Sequence, residues 1–209
     1  ILAANRTSEV EIVLPKRVHA GESEWRHPKP VEFFVDFETV NNANDNFSKF
    51  PFVGGLPLIF MIGCGHIENG NWVFKQFTTT RLSNPAEADA IEEWISHMTE
   101  ISGGRESVVY HWSHAEPSTL ENSFKNARDR HPDRNWPWLE WFDLYKEVFY
   151  SEPVGVKNAY GLGLKAVAKA MKSHGLIETG WGSSHVDGLG AMVAAWFCDS
   201  DAANDGKNL

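Results

Sequence analysis

After a polar N-terminal segment, apolar runs and polar breaks follow each other in the pattern of β-strands. Residues 31–40 (VEFFVDFETV) are mostly β-branched or aromatic, which predicts a buried strand. Residues 56–67 and 71–78 form two further apolar runs, and Asn69 and Gly70 between them are a strong hairpin signal. We therefore expect an antiparallel set of three strands at the start of the domain.

A helical spacing of apolar residues follows this hairpin. Apolar side chains three and four positions apart predict one buried helix face, formed by Ile91, Trp94, Ile95, Met98 and Ile101. Asn84 is expected to cap this helix, because Pro85 after it suits the first helical turn. Glu87, three positions after Asn84, is expected to complete a capping box. Gly103 is expected to end the helix.

Strands and helices alternate in the rest of the chain. Residues 107–112 (SVVYHW) predict another strand, whereas residues 138–149 carry a mixed signal. Three further helices are expected to begin near Pro117, Leu164 and Asp187. This order of elements predicts an α/β domain with a mixed sheet whose first strand is central.

Changes in composition divide the chain into three parts. Residues 1–30 carry scattered charges and prolines with little periodicity, so we interpret them as a linker or edge segment. Residues 31–198 form the predicted domain, and residues 199–209 are a polar tail expected to be disordered. Because the first residue is Ile rather than Met, we expect the chain to be one part of a larger protein with additional domains.

The acidic charge balance limits the functions that the chain can have. Its net charge is −9, from 28 acidic and 19 basic residues. Neutralisation of phosphates supplies much of the affinity of nucleic-acid-binding proteins, so this balance argues against a passive, high-affinity binding module. It counts less against a nuclease, because a nuclease site must gather carboxylates for divalent ions.

The two cysteines, Cys64 and Cys198, lie far apart in apolar runs and match no metal-ligand spacing. We expect both to be buried, reduced thiols in a cytoplasmic or nuclear compartment. No apolar run reaches the roughly 20 residues needed to cross a bilayer, so no membrane partner is expected.

Asp36 and Glu38 are the first candidates for chemistry. Side chains two positions apart on a strand point to the same face, so the two carboxylates are expected to lie side by side. Hard oxygen ligands of this kind suit Mg²⁺ or Mn²⁺. The structural alternative is a strand end whose acids simply reach solvent.

Glu116 and Asp187 are the second pair of candidates. Each stands at the expected start of a helix, where an acid often serves only as a cap. Their positions at strand-to-helix and loop-to-helix boundaries favour a functional role as well, because open α/β sheets gather their ligands there.

Four motifs of the chain together resemble one known group of nucleases; they are VDFET, YHWSHAE, GLKAVAKAM and VDGLGAM. The sequence from Val31 to Phe197 is similar to the DEDD (DnaQ-like) exonuclease superfamily, and most closely to its YprB-like branch of predicted RecB-family nucleases. The resemblance implies an RNase H-like fold, in which three antiparallel strands and then parallel strands form a mixed sheet flanked by helices. It also implies 3′→5′ hydrolysis of single-stranded nucleic acid, with DNA favoured, by two Mg²⁺ or Mn²⁺ ions.

The resemblance also implies a role for particular residues. Four carboxylates are expected to bind the metal ions and to be catalytic; they are Asp36, Glu38, Glu116 and Asp187. Glu116 replaces the usual Asp of the second motif, and Trp112 replaces the usual Asn. The family's Tyr or His general base would fall on Ser183 or Gly182, so the nearby His185 is the candidate base.

Residues beside these motifs are expected to contact the nucleic acid. Thr39 and Trp112 neighbour the acidic motifs, and Lys165 lies at a helix start that suits a phosphate, although a solvated lysine is equally compatible. The helix after Glu116 is locally basic through Lys125, Arg128, Arg130 and Arg134, and its alternative is a mixed solvated face. Asp143 is expected to support the sheet.

Two other functions stay open at this point. The altered second motif, the displaced base and the negative charge favour a catalytically weak nucleic-acid-binding domain of a multidomain helicase or nuclease. An RNase H-like endonuclease acting on RNA/DNA hybrids would keep the same chemistry. The sequence does not distinguish DNA from RNA as the substrate.

Overall fold

A computed structural model describes residues 11–20, 22–40, 57–113, 120–180 and 188–205 of the chain. The strands are β1 (Val13–Leu14), β2 (Val31–Val40), β3 (Leu58–Glu68), β4 (Asn71–Thr78), β5 (Ser107–His111), β6 (Trp141–Asp143) and β7 (Gly155–Val156). The helices are α1 (Glu22–Trp25), α2 (Asn84–Ser102), α3 (Leu120–Arg130), α4 (Leu164–Ser173) and α5 (Gly188–Asp205), with a π-helix over Tyr145–Tyr150.

Five of these strands form one mixed sheet in the order β4-β3-β2-β5-β6. The pairs β2/β3 and β3/β4 are antiparallel. The amide of Val31 donates to the carbonyl of Glu106 over 3.2 Å, so β2 and β5 begin side by side and run in the same direction. The predicted mixed α/β architecture is confirmed, and the first predicted strand, β2, is central.

The β3–β4 hairpin turns where the sequence predicts it. Asn69 and Gly70 have φ values of 51° and 79°, the left-handed region that a tight hairpin turn requires at both central positions. Strand pairing then runs in register from Glu68 opposite Asn71 to Met61 opposite Thr78.

The main core lies between one face of the sheet and α2 with α3. Trp94 and Ile91 of α2 are completely buried against Phe33, Ile62 and Phe77 of the strands. These strand residues alternate with outward-facing ones, which is the period expected of strands with two different faces. The predicted helix stripe is confirmed, with Ile101 partly buried at its end.

A second apolar cluster covers the other face of the sheet near one end of β2. Val40, Leu58 and Phe60 pack there against Ala195 of α5, with Trp196 partly buried beside them. Helix α5 therefore lies on the face opposite to α2. No described helix combines the length and the apolar composition that crossing a membrane requires.

The described residues divide into two compact units. The sheet unit contains the described residues of 29–109, 117–141 and 186–209. The small unit contains those of 11–28, 110–113 and 142–180. In the small unit β1 pairs antiparallel with β7, so the described part of the predicted linker segment contributes a strand. Its core is built on Val156 and Val167.

The structure corrects three local predictions. The cap of α2 is Ser83, whose hydroxyl accepts from the amide of Ala86 over 3.4 Å, and Asn84 is the first helical residue. The thiol of Cys64 is buried as expected, but Cys198 is exposed because it lies on the outer side of α5. Helix α5 continues to Asp205, past the predicted start of the polar tail.

Glu87 is not part of a capping box, because its side chain is completely buried in an ionic cluster. Its Oε1 accepts from the backbone amide of Ile59 over 2.7 Å and from Nη2 of Arg130 over 2.5 Å. Its Oε2 accepts from Nε of Arg130 over 3.0 Å and lies 2.9 Å from Nε2 of His131. The carboxylate thus connects α2 to β3 and to the end of α3.

Two opposing effects determine the pKa of Glu87. Burial raises the pKa of the carboxyl, but the hydrogen bonds from His131 and Arg130, together with the Arg130 charge, outweigh burial and hold the pKa below its ordinary value of 4.5. The carboxylate therefore contributes stability above pH 4.5, and this contribution is lost as the pH falls through the lower value in the folded protein.

We predict that Glu87→Ala lowers the free energy of unfolding by roughly 3–5 kcal/mol, because it leaves the buried Arg130 guanidinium without its counter-charge. The matched control is Glu92→Ala, which removes an exposed pair with Arg134 and should cost less than about 1 kcal/mol. Urea denaturation at pH 7 measures both changes. Equal costs for the two variants would contradict a structural role for the cluster.

Candidate active site

Strand β2 places Asp36 and Glu38 on one face of the sheet. Phe33, Val35 and Phe37 point into the main core, whereas Asp36 is exposed and Glu38 is half-buried on the opposite face. The alternation fixes the direction of both acids, since a slip of one residue would place apolar side chains in solvent. The predicted side-by-side arrangement of the two carboxylates is confirmed.

The pairing of β2 with β3 is irregular immediately after these acids. Glu38 lies opposite Met61 on β3, but Thr39 lies opposite Ile59, so Phe60 of β3 is an extra residue that forms a bulge between the two pairs. Bulges bend a strand and redirect its side chains, and they are common beside active sites. Upstream of the bulge, Oδ1 of Asp36 accepts from the amide of Phe37 over 3.0 Å.

The start of α5 lies against Glu38. A β-carbon built on Gly188 would come within 3.5 Å of Oε2 of Glu38, which is ordinary van der Waals contact. Any side chain at this position longer than that of alanine would extend toward the carboxylate. The backbone of α5 and the acid of β2 are therefore neighbours on the face opposite to α2.

The remaining predicted catalytic residues, Glu116, Asp187 and His185, lie outside the described residues. Within the described ranges, no group of three or more His, Cys, Asp or Glu side chains is arranged to hold a metal ion. The four-carboxylate set stays a prediction, of which Asp36 and Glu38 are the described half.

The three predicted nucleic-acid contacts have different surroundings. Thr39 is half-buried just after the bulge, and Lys165 is exposed in the first turn of α4. Trp112 packs in the core of the small unit, where its ring centroid lies 4.5 Å from that of Phe149. Its indole N–H donates to the carbonyl of Leu162 over 3.2 Å.

The basic strip expected on α3 does not form. Arg130 is buried in the ionic cluster of Glu87, and Arg134 pairs with Glu92. The guanidinium of Arg128 donates to two backbone carbonyls of the segment that follows α3. These contacts hold the cations to the protein, so the alternative of a structural, mixed face is the better description.

Asp143 has the structural role that the sequence suggests. Its buried Oδ1 accepts from the amides of Ser113, Tyr145 and Lys146 over 3.0–3.3 Å. The carboxylate therefore accepts hydrogen bonds from the first two amides of the π-helix and from the amide of Ser113, which follows β5. It thereby connects the start of the π-helix to the end of β5.

The sequence patterns described above do not predict an exposed aromatic surface, which lies on the same face of the sheet as Asp36. Trp72 and Phe74 of β4 are 56% and 58% exposed, and Phe34 of β2 lies beside Trp72 with ring centroids 5.7 Å apart. The signal was present in residues 71–78, where both alternating faces carry aromatic side chains. An ordinary solvent-facing strand has polar residues on one of these faces.

Two comparisons with known proteins give no family assignment. No protein-family model matches the chain, and no curated protein sequence matches it significantly.

We predict that Asp143→Ala lowers the free energy of unfolding by about 2 kcal/mol or more, because three backbone amides, that of Ser113 buried, lose their acceptor. Asp143→Asn keeps an acceptor oxygen of the same size and should retain most of that stability. Guanidinium denaturation of both variants checks this expectation. An Asn variant as unstable as the Ala variant would show that the charge of Asp143, rather than its acceptor oxygen, is required.

Proposed function

We propose that this chain is a metal-dependent nuclease domain of RNase H-like fold that hydrolyses single-stranded nucleic acid from the 3′ end. The observation that carries the proposal is the position of Asp36 and Glu38 on the central strand. Both acids lie on the face that α5 covers only in part, and a β-carbon at Gly188, the first residue of that helix, would lie 3.5 Å from Oε2 of Glu38. Gly188 follows Asp187 in the sequence, so the third acid is proposed to join the same site.

The topology supports the RNase H-like assignment. Three antiparallel strands are followed by a fourth, β5, that runs parallel to the central β2. Helices α2 and α5 pack on opposite faces of this sheet. The proposed fold places the carboxylates of the first strand on the face of the final helix, which agrees with the position of Glu38.

The donor set suits magnesium or manganese. Carboxylate oxygens are the ligands that these ions prefer, and Asp36 holds an exposed position on β2. We propose that Asp36, Glu38, Glu116 and Asp187 hold two Mg²⁺ or Mn²⁺ ions. When bound, such ions make water more acidic and stabilise the leaving oxygen of a phosphodiester.

The protein's own contribution is to hold the two described acids in place. Val35 and Phe37 lock β2 into the core on either side of Asp36, and Glu38 is still paired in register with Met61 of β3 before the bulge. The first residue of α5, Gly188, adds no side chain beside Glu38, where a β-carbon would lie 3.5 Å from the carboxylate. Such preorganisation lowers the cost of gathering like charges at one site.

We predict that Asp36→Asn and Glu38→Gln each reduce cleavage by at least about 100-fold while the protein stays folded, because these substitutions remove a metal ligand from an accessible face. Single-stranded DNA and RNA labelled at the 3′ or the 5′ end are incubated with Mn²⁺ and with EDTA. Glu32→Gln is the matched control, since it removes an acid from the same face of the same strand and should cleave like the wild type.

The label pattern separates the alternatives. Early release of single nucleotides from the 3′ end supports the exonuclease, whereas internal fragments from RNA/DNA hybrids would support an endonuclease. Binding without Mn²⁺-dependent cleavage of any substrate would overturn the nuclease proposal in favour of a nucleic-acid-binding domain.

We further predict that His185→Ala lowers the rate of cleavage by roughly 10²–10⁴-fold if His185 is the general base, which is the usual contribution of such a group. The measurement is a single-turnover rate with saturating Mn²⁺. A variant within about threefold of the wild type would eliminate His185 as the base and leave the metal site unaffected.

A further inference from the structure

We propose that Phe34, Trp72 and Phe74 form a platform on which nucleobases of a single-stranded substrate stack beside the carboxylates. The proposal of this aromatic platform rests on the proposed nuclease function. It specifies how the candidate active site would hold a single-stranded substrate. All three residues lie on the face of the sheet that carries Asp36.

Strand register brings the three rings together. Phe34 lies opposite Gly65 on β3, and Gly65 lies opposite Phe74 on β4, so the three residues form one row across the sheet. Trp72 is two residues from Phe74 on the same face, and its ring contacts that of Phe34.

Two glycines of β3 make room for these rings. A β-carbon at Gly65 would overlap the indole of Trp72, and one at Gly63 would lie 3.2 Å from the ring of Phe74. The rings therefore lean over the middle strand and cover its backbone, where side chains would otherwise separate them. The side chains of Trp72 and Phe74 held in this way remain more than half exposed to solvent.

The platform continues directly into the candidate active site. Gly63, which the ring of Phe74 covers, is the cross-strand partner of Asp36. A base stacked on Phe74 would therefore place its phosphate near Asp36 and Glu38, and the next bases would extend over Trp72 and Phe34. The substrate would enter the site along the row of rings.

Charge explains why the affinity would come from stacking. The chain carries a net charge of −9, and carboxylates and carbonyls of the protein hold the guanidinium groups of Arg128, Arg130 and Arg134. Attraction for phosphates is therefore weak, whereas stacking on aromatic rings tolerates any base and does not require a basic surface. Single-stranded nucleic acid is the occupant that matches both the open rings and the neighbouring carboxylates.

The test measures binding in EDTA, where cleavage cannot contribute. Fluorescence anisotropy of a short 5′-labelled oligothymidylate should show a Kd raised roughly 5- to 100-fold by Trp72→Ala or Phe74→Ala. Trp72→Phe should restore most of the affinity, because it keeps a stacking ring. An abasic oligonucleotide of the same length should bind the wild type and the variants alike.

Trp138→Ala is the matched control. Trp138 belongs to the same unit and is 82% exposed, but it lies against Arg128 and not on the platform. Its loss should leave the Kd within about twofold of the wild type. Circular dichroism melts of each variant check that the fold is unchanged, which is expected because the replaced rings are more than half exposed.

The results separate this proposal from the nuclease proposal. If the wild type cleaves DNA and the Trp72 and Phe74 variants bind and cleave equally well, the platform is overturned and the nuclease stands. If binding depends on both rings but no substrate is cleaved with Mn²⁺, the platform stands and the nuclease fails. If Trp72→Ala changes the sedimentation of the protein and not its Kd, the rings contact a second copy and the platform is overturned.

Discussion

The buried carboxylate of Glu87 is the contact on which the arrangement of the sheet unit depends. It belongs to α2, accepts a hydrogen bond from the backbone of β3, and pairs with Arg130 at the end of α3. One charged group thereby fixes two helices and a strand with respect to each other. Because β3 pairs with β2 in register, the placement of β3 also decides that Gly63 lies beside Asp36. A structural ion pair on one face of the sheet thus supports the geometry of the candidate site on the other.

Strand β2 combines two opposite requirements. On one face its residues are among the most buried of the described chain and pack against Trp94 of α2. On the other face it exposes Asp36 and half-exposes Glu38, two acids of like charge between which Coulomb repulsion acts. The buried face offsets this repulsion, because apolar burial of several large side chains stabilises by more than two partly solvated acids destabilise. The proposed cation site would thus lie on the central strand of a well-packed sheet.

Patterns between neighbouring residues in the sequence predict most of the sheet. They do not predict contacts between residues that are far apart in the chain. The period of two in residues 31–40 and the turn at Asn69 gave the strands, their pairing and the common face of the two acids. Glu87 and Arg130 were interpreted as a cap and a surface cation, because nothing near either residue reveals a partner 43 positions away. The aromatic platform was missed for a related reason, since only the register across three strands brings Phe34 to Trp72. Sequence spacing gave the orientation of Asp36 and Glu38, but it carries no information on the approach of Gly188.

Lys75 gives the aromatic face a further significance. In the described sheet β4 is the outermost strand. Lys75 lies near the middle of β4, and its ammonium group is 4.9 Å from the centre of the Phe77 ring. An outer strand with exposed rings is a template for pairing with other chains, and a charge in its middle opposes such pairing because two copies would bring like charges together. Opposition to self-association and the proposed stacking of nucleobases therefore involve residues of the same strand. A lysine in the middle of this strand therefore opposes edge-to-edge association of two copies through β4, although the rings beside it are exposed.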